Sequence, residues 1–331
     1  MSHLTALKSV DLALANTRIN LEYLDRTIAD LANTSRNGRC GSAVIITAGP
    51  SLHRRNPVAQ ILSSGYEGDL ICADGALAYC LRNGLVPNYV VTLDPHPRRI
   101  VRWFGDPHLD ESSLAEDDYF SRQDLDPYMG LYEITRNRQV IELVNKHGPE
   151  INAVIATCVS LSVTKRCLDA AMRLYWWNPL YDDFRDPASL ARQVYNLNKV
   201  PCMASGGNCG SAAWVFANAV LKKKEIAVVG MDFSYAPGTP LEKTQYYKEV
   251  AELFGNEAPD AFVDVVNPYL QEVWFTDPAY YWYRETFLEM ARDADCATYN
   301  CTEGGILFGE GVEFAPLNSF LERWADSRGG V

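Results

Sequence analysis

No window of the 331-residue chain approaches the ~18 uninterrupted apolar residues of a membrane span, so no transmembrane helix is expected. Histidine is scarce. The five residues stand at 3, 53, 96, 108 and 147, without HExxH or other ligand spacing and with none after His147. The nine cysteines (40, 72, 80, 158, 167, 202, 209, 296, 301) form no CxxC pair, and several lie in apolar runs such as LICADGAL and IATCVSLSV. They read as reduced, buried thiols rather than as a disulfide framework or a zinc site. Neither GxGxxG nor GxxxxGK[ST] occurs, which disfavours a dinucleotide-dependent oxidoreductase and a P-loop enzyme. The opening MSHLTALKSVDLALANTR lacks an unbroken apolar core, since Lys8, Asp11 and Arg18 interrupt it. It does not read as a signal peptide, and a cytoplasmic location is expected. Positive charge is in deficit: Lys plus Arg is 30 against 42 Asp plus Glu, a net charge of −12. Such a field repels a polynucleotide partner, yet a local pocket for one nucleotide remains allowed.

What is present is the composition of a globular protein, 47% hydrophobic and 22% charged, at a length that suits one large domain or two smaller ones. Leu7, Val10, Leu14, Leu21, Leu24, Ile28 and Leu31 keep a 3,4 alternation broken only by Thr17, which predicts one long amphipathic helix stopping at Asn37-Gly38. Such a helix either lies across the protein's own core or pairs two copies as a homodimer. From residue 43 the pattern changes to short apolar runs, AVIITA (43–48), DLICA (69–73), YVVTL (89–93), AVIA (153–156), RLYWW (173–177) and IAVVG (226–230), separated by helical stretches. Strands apolar on both faces, alternating with helices, predict an α/β fold with a doubly wound, mostly parallel, Rossmann-like sheet. The expected organisation is a helical extension over 1–38 and a nucleotide-binding α/β domain over 40–330, with an exposed acidic insertion around 98–126.

In open α/β sheets ligands bind beyond the carboxyl ends of the strands. Here those ends carry Gly49-Pro50-Ser51, Asp74-Gly75, Asp94, Asp232 and Glu303-Gly304. Ser205-Gly206-Gly207 precedes a helix rich in small residues, which lets backbone amides approach an anion at the positive helix end. Asp74 and Asp94 have two readings: they hold Mg²⁺ against a di- or triphosphate, or they hydrogen-bond the ribose and base of a nucleotide. Tyr235, Tyr246 and Tyr247 either donate hydroxyls to a leaving phosphate or pack as aromatics under a lid.

The ordered set ITAGPSL (46–52), ADGAL (73–77), NGLVPNYVVTLDPHP (83–97), SGGNCGSAA (205–213), VVGMDFSY (228–235) and TEGGILFGEGVEFAPLNSFL (302–321) resembles the bacterial motility-associated-factor (Maf) proteins and their 6-hydroxymethylpterin diphosphokinase-like (MptE-like) relatives. The GPSL start and the SGG…AA…GxDF block also look like bacterial sialyltransferases of related fold. The Maf resemblance implies a glycosyltransferase using a CMP-activated nonulosonic (sialic-type) donor, with no required cofactor and with a protein or glycan acceptor. The sialyltransferase likeness, carried over position by position, implies that Gly49, Pro50 and Ser51 face the nucleotide, that Asp74 and Asp94 contact ribose and base, that Ser205 and Gly206 hold cytidine with Gly207 also at the nucleotide, and that Tyr235 or Tyr246 and Tyr247 lie near the phosphate. The sialyltransferases' catalytic histidine has no counterpart, so Asp232, Asp277 or Glu303 would act as general base. The diphosphokinase relatives imply the alternative, Mg²⁺ on Asp74 and Asp94 with ATP or GTP as donor. A non-catalytic nucleotide-binding module is the third reading.

Overall fold

Segments with no polar face must be covered on both sides, and the apolar runs of this chain accordingly stack into one parallel sheet. The computed structural model describes residues 3–34, 41–117, 119–122 and 133–325. The strands are β1 (Ser42–Ile46), β2 (Asp69–Ala73), β3 (Tyr89–Thr92), β4 (Asn152–Ala156), β5 (Arg173–Pro179), β6 (Cys202–Met203) and β7 (Glu225–Val229), then β8 (Val263–Asn267), β9 (Glu272–Thr276), β10 (Ala297–Asn300) and β11 (Glu313–Phe314). Nine of them form a sheet in the order β11-β10-β7-β1-β2-β3-β4-β5-β6, every neighbour parallel. All five residues of β1 are buried, and each Val or Ile so buried stabilises the fold by roughly 1.5–3 kcal/mol. The chain lays down β1 to β6 in one direction and then returns to place β7 on the other side of β1. That reversal opens a crevice at the carboxyl ends of β1 and β7, where α/β sheets bind ligands.

The N-terminal segment departs from the expected single helix. A helix over His3–Asn20 ends in a 3-10 turn at Leu21–Tyr23, and a second helix covers Ile28–Thr34. The break is a local cap joined to a distant demand. The Thr27 N–H donates to the Asp30 carboxylate at 2.7 Å, while the Asp30 N–H donates to the Thr27 carbonyl at 3.0 Å. Buried Trp176 of β5 takes its two acceptors from the same break, donating its amide N–H to the Arg26 carbonyl at 2.9 Å and its indole N–H to the Tyr23 carbonyl at 3.0 Å. The helix also docks by polar teeth. Asn20 donates to the carbonyls of Thr157 (2.9 Å) and Val159 (2.8 Å) and accepts from the Thr164 hydroxyl (2.8 Å), while Asn16 donates to the carbonyls of Cys158 (2.9 Å) and Pro95 (3.0 Å). Thr17, the interruption in the apolar pattern, is buried against Thr157. The segment is thus laid across its own sheet; residues 35–38, where a single helix would have ended, lie outside the described residues.

The 98–126 stretch is likewise not simply an exposed insertion. Ile100–Phe104 forms a 3-10 turn whose five residues are all buried. Arg98 pairs with Glu116 and Arg99 with Asp117 at 2.7 Å, so arginines just upstream bind down two acids of the run, while Arg102 pairs with Glu133 beyond it. Asp118, Asp124 and Asp126 lie outside the described residues. Several elements were not expected. Among them, a helix over Leu190–Asn198 interrupts the polar stretch before Pro201, and the antiparallel hairpin β8–β9 stands apart from the main sheet. All eight described cysteines are free, five of them buried.

Candidate functional site

A cavity of about 350 Å³ opens at the carboxyl ends of β7, β1, β2 and β3. Its first wall is the turn after β1. Gly49 and Pro50 line it, and a Cβ at Gly49 would overlap the Asp232 carboxylate and the Gly230 carbonyl, so only glycine fits. The turn's hydrogen-bonding capacity is consumed internally. The Gly49 N–H donates to the Gly230 carbonyl at 2.8 Å, the Ser51 N–H donates to Asp232 Oδ2 at 3.2 Å, and the Ser51 hydroxyl donates to Asp232 Oδ1. Ser51 does not line the cavity; it turns inward to hold Asp232, which does. The turn therefore contributes shape and close approach rather than amides.

The second wall carries the two other carboxylates. Asp74, at the start of the Asp74–Arg82 helix, is 6% exposed and accepts from the Gly75 N–H (2.8 Å), the Thr92 hydroxyl (2.8 Å) and the Cys209 thiol (3.4 Å). Burial pushes its carboxyl up to about 6, with Asp94 adding to the rise and the three donors partly offsetting it. Asp94 lines the same cavity but is exposed, with Oδ1 accepting the His96 N–H at 2.7 Å. His96 Nδ1 in turn accepts the N–H groups of Arg98 and Arg99, each at 3.2 Å, so the Asp-Pro-His-Pro turn is held by its own side chains. Burial first, and then Arg99, lowers the His96 pKa and favours the neutral ring that can accept in this way.

The third wall is the Ser205–Gly207 turn with the Cys209–Val215 helix behind it. Gly206 and Gly207 adopt φ of +58° and +85°, which side-chain-bearing residues rarely do. Asn208 caps the helix through the Ser211 N–H at 2.9 Å. Gly207, Asn208, Cys209 and Gly210 line the cavity, whereas Ser205 and Gly206 do not. First-turn N–H groups have no intrahelical acceptor, and those of Cys209 and Gly210 belong to this set. Burial pushes the Cys209 thiol well up, with Asp74 and Asp94 adding to it, so it is a protonated donor and not a nucleophile.

The fourth wall is phenolic. Tyr119, Tyr246, Tyr280 and Tyr283 line the cavity together with Trp103. The hydroxyls of Tyr246 and Tyr283 lie 3.4 Å apart, Tyr280 donates to Gln245 Oε1 at 2.6 Å, and Gln245 donates to the Tyr119 hydroxyl at 3.1 Å. Burial raises the phenol pKa values of Tyr246, Tyr280 and Tyr283, so all three present O–H donors. Tyr280 and Tyr283 follow from i, i+3 spacing on the aromatic Pro278–Asp293 helix, a signal the sequence did contain. Tyr119 and Gln245 had no such signal.

Besides Ser51, Ser205 and Gly206, four further expected site residues lie off the cavity lining. Asp277 is fully buried and caps the Pro278–Asp293 helix, accepting from the N–H groups of Ala279 (2.7 Å) and Tyr280 (2.9 Å) and from the Tyr235 hydroxyl (2.5 Å). With its oxygens so engaged and outside the cavity, it is not placed to deprotonate an acceptor there. Tyr235 is spent on that contact and packs behind Tyr280, ring centroids 5.1 Å apart. Tyr247 opens the Tyr247–Phe254 helix and faces Phe262. Glu303 sits at φ +53°, its carbonyl accepting from Arg55 Nε at 2.7 Å and its carboxylate from the Leu317 N–H at 3.4 Å. Those bonds tie the chain ahead of the C-terminal Leu317–Ala325 helix, away from the cavity lining.

Residues 15–178 match the family described as 6-hydroxymethylpterin diphosphokinase MptE-like. Among solved structures, the Maf glycosyltransferase from Magnetospirillum magneticum AMB-1 is similar with a TM-score of 0.52 and 14% identity, over 88% of this chain. The match spans 38% of that protein's chain, and at this identity the likeness concerns the fold. No curated protein matches in sequence. Residues 15–178 thus match the MptE-like family model, and over 88% of its length the chain is similar in fold to a Maf glycosyltransferase.

Proposed function

We propose that the protein is a nucleotide-dependent transferase that takes a CMP-activated nonulosonic (sialic-type) sugar as donor. The observation that carries this reading is the chemistry of one cavity: helix-start amides, four phenols and three carboxylates share its lining, with no Lys or Arg among the described lining residues. A CMP-activated nonulosonic acid brings one phosphodiester and the sugar's own carboxylate, less charge than a triphosphate, and amides and hydroxyls can hold the phosphodiester without a basic patch. Departure of CMP breaks the bond from the anomeric carbon to the phosphate oxygen, and the electron pair leaves with the phosphate. The N–H groups of Cys209 and Gly210 and the hydroxyls of the Tyr246–Tyr283 pair are the donors available to that developing charge, the Tyr280 proton being held by Gln245. The acceptor hydroxyl loses its proton to a carboxylate as its oxygen bonds the anomeric carbon. Asp74 takes this role in place of Asp277 and Glu303: its oxygens also accept hydrogen bonds, but it lines the cavity and is basic enough at about 6 to share a proton near neutrality. Asp232, whose two oxygens hold Ser51, shapes the Gly49-Pro50 turn instead.

The family description favours a second reading, diphosphoryl transfer from ATP or GTP. Mg²⁺ commonly uses one or two carboxylates and completes its shell with phosphates and water. Asp74 and Asp94 on one cavity fit that donor set, whereas no group of three or more His, Cys, Asp or Glu forms a protein-only cluster among the described residues. The ion would neutralise a triphosphate beside those carboxylates. Incubation with a CMP-activated nonulosonic acid separates the readings. Glycosyl transfer predicts CMP release that Asp74→Asn slows about 100-fold or more. Formation of AMP or GMP from ATP or GTP with a hydroxymethylpterin and Mg²⁺, without CMP release, establishes the second reading instead. Neither product indicates a binding module.

A further inference from the structure

Trp282 is the most conspicuous residue outside the cavity lining. It is 56% exposed on the Pro278–Asp293 helix, one position before Tyr283, and the two rings lie 5.4 Å apart at 59°. The indole is seated rather than loose. A Cβ at Gly207 would come within 2.7 Å of Trp282 Cζ3 and of Tyr283 Cε1, so the glycine turn at the cavity rim supports the ring edge while leaving much of the side chain to solvent. Leaving a large aromatic in water forgoes burial free energy, and a ring fixed at a site mouth is preorganised for stacking, with little entropy left to lose on binding.

We propose that Trp282 is the acceptor platform: a pyranose of a glycan acceptor stacks its C–H face on the indole, and the hydroxyl to be modified reaches past Tyr283 into the cavity. This deepens the glycosyl-transfer reading and rests on it. A pyranose has one flat apolar face and a polar rim, and the surroundings match: the Ser205 hydroxyl lies in the supporting turn, and exposed Glu285 and Glu289 follow on the same helix. An extended peptide is disfavoured, because the platform stands on a helix whose backbone groups are already paired and which offers no strand edge to augment.

Fluorine NMR of the full chain carrying 5-fluorotryptophan tests this without requiring turnover. The seven tryptophans give up to seven resonances, and Trp282→Phe identifies one of them by its loss. The probes are methyl β-galactopyranoside and the methyl glycosides of N-acetylglucosamine and N-acetylgalactosamine, each titrated to tens of millimolar, with CMP titrated separately. The expected result is a saturable shift of the Trp282 resonance with at least one glycoside. In turnover assays, Trp282→Ala should raise the acceptor KM at least tenfold while the donor KM moves less than twofold. Absence of any Trp282 shift, or equal shifts of all resonances, overturns the platform whatever CMP does; a shift with a peptide acceptor alone does the same. A failed CMP response beside a saturable glycoside response would instead overturn the donor assignment and leave the platform standing.

Discussion

Asp74 combines a buried carboxylate with a place on the cavity wall, and the two properties oppose each other. Its folded-state pKa of about 6 lies above the ordinary carboxylate value of 3.8, so its contribution to stability is fully present below about pH 4 and is lost as pH rises through 6. Asp74→Asn removes this loss. The variant should be more stable than the parent by about 1–3 kcal/mol at pH 8 and no more stable at pH 4, measured by denaturant melts at the two values. A gain in stability joined to a loss of activity is the signature of a residue kept for chemistry rather than for folding. Asp277 should behave oppositely. As a helix cap holding two amides and the Tyr235 hydroxyl, it should cost roughly 1–2 kcal/mol on mutation to Ala, with a lower thermal midpoint. Cys209 offers a third check. Its raised pKa predicts slow reaction with a thiol reagent at pH 7.5, and CMP should slow it further because the thiol lines the cavity.

At the scale of elements, what could be read from the sequence depended on how far away the deciding partner was. DLICA and IAVVG are legible as strands because they offer no polar face, and β2 and β7 occupy those stretches. The Pro57–Ser64 helix starts on its proline and ends on Gly65 in the left-handed region, both local signals. The N-terminal heptads were misleading for the opposite reason. Thr27 and Asp30 form a cap visible in sequence, but Trp176, which fixes the break, lies well over one hundred residues away. Asn20→Ala, which strips three buried side-chain hydrogen bonds from the helix–sheet junction, should destabilise by about 2–4 kcal/mol, read as a shift in the denaturant midpoint at unchanged slope. Within the site, Gly49, Pro50, Asp74, Asp94 and Asp232 reach the cavity from strand ends, Gly207 reaches it from the glycine turn and Tyr246 from the paired tyrosines. Tyr119 escaped the sequence reading because it lies in the acidic insertion, and Gln245 because its place is set by Tyr119 and Tyr280; Ser51, which was expected at the nucleotide, turns instead toward Asp232.

For the whole molecule, the net charge of −12 and the character of the cavity lead to the same account. Part of the acid excess is neutralised on the molecule's own arginines at Arg98, Arg99 and Arg102. The cavity itself adds carboxylates without described cations, which favours a donor of low charge such as a CMP-sugar over a nucleoside triphosphate that needs a metal. Thermal unfolding of the full chain with CMP and with ATP or GTP, each with and without Mg²⁺, tests that claim most directly. The account predicts that CMP at about 100 times its Kd stabilises by roughly 2.7 kcal/mol, a rise of a few degrees, without metal. Stabilisation by ATP or GTP only when Mg²⁺ is present, with no response to CMP, would contradict it.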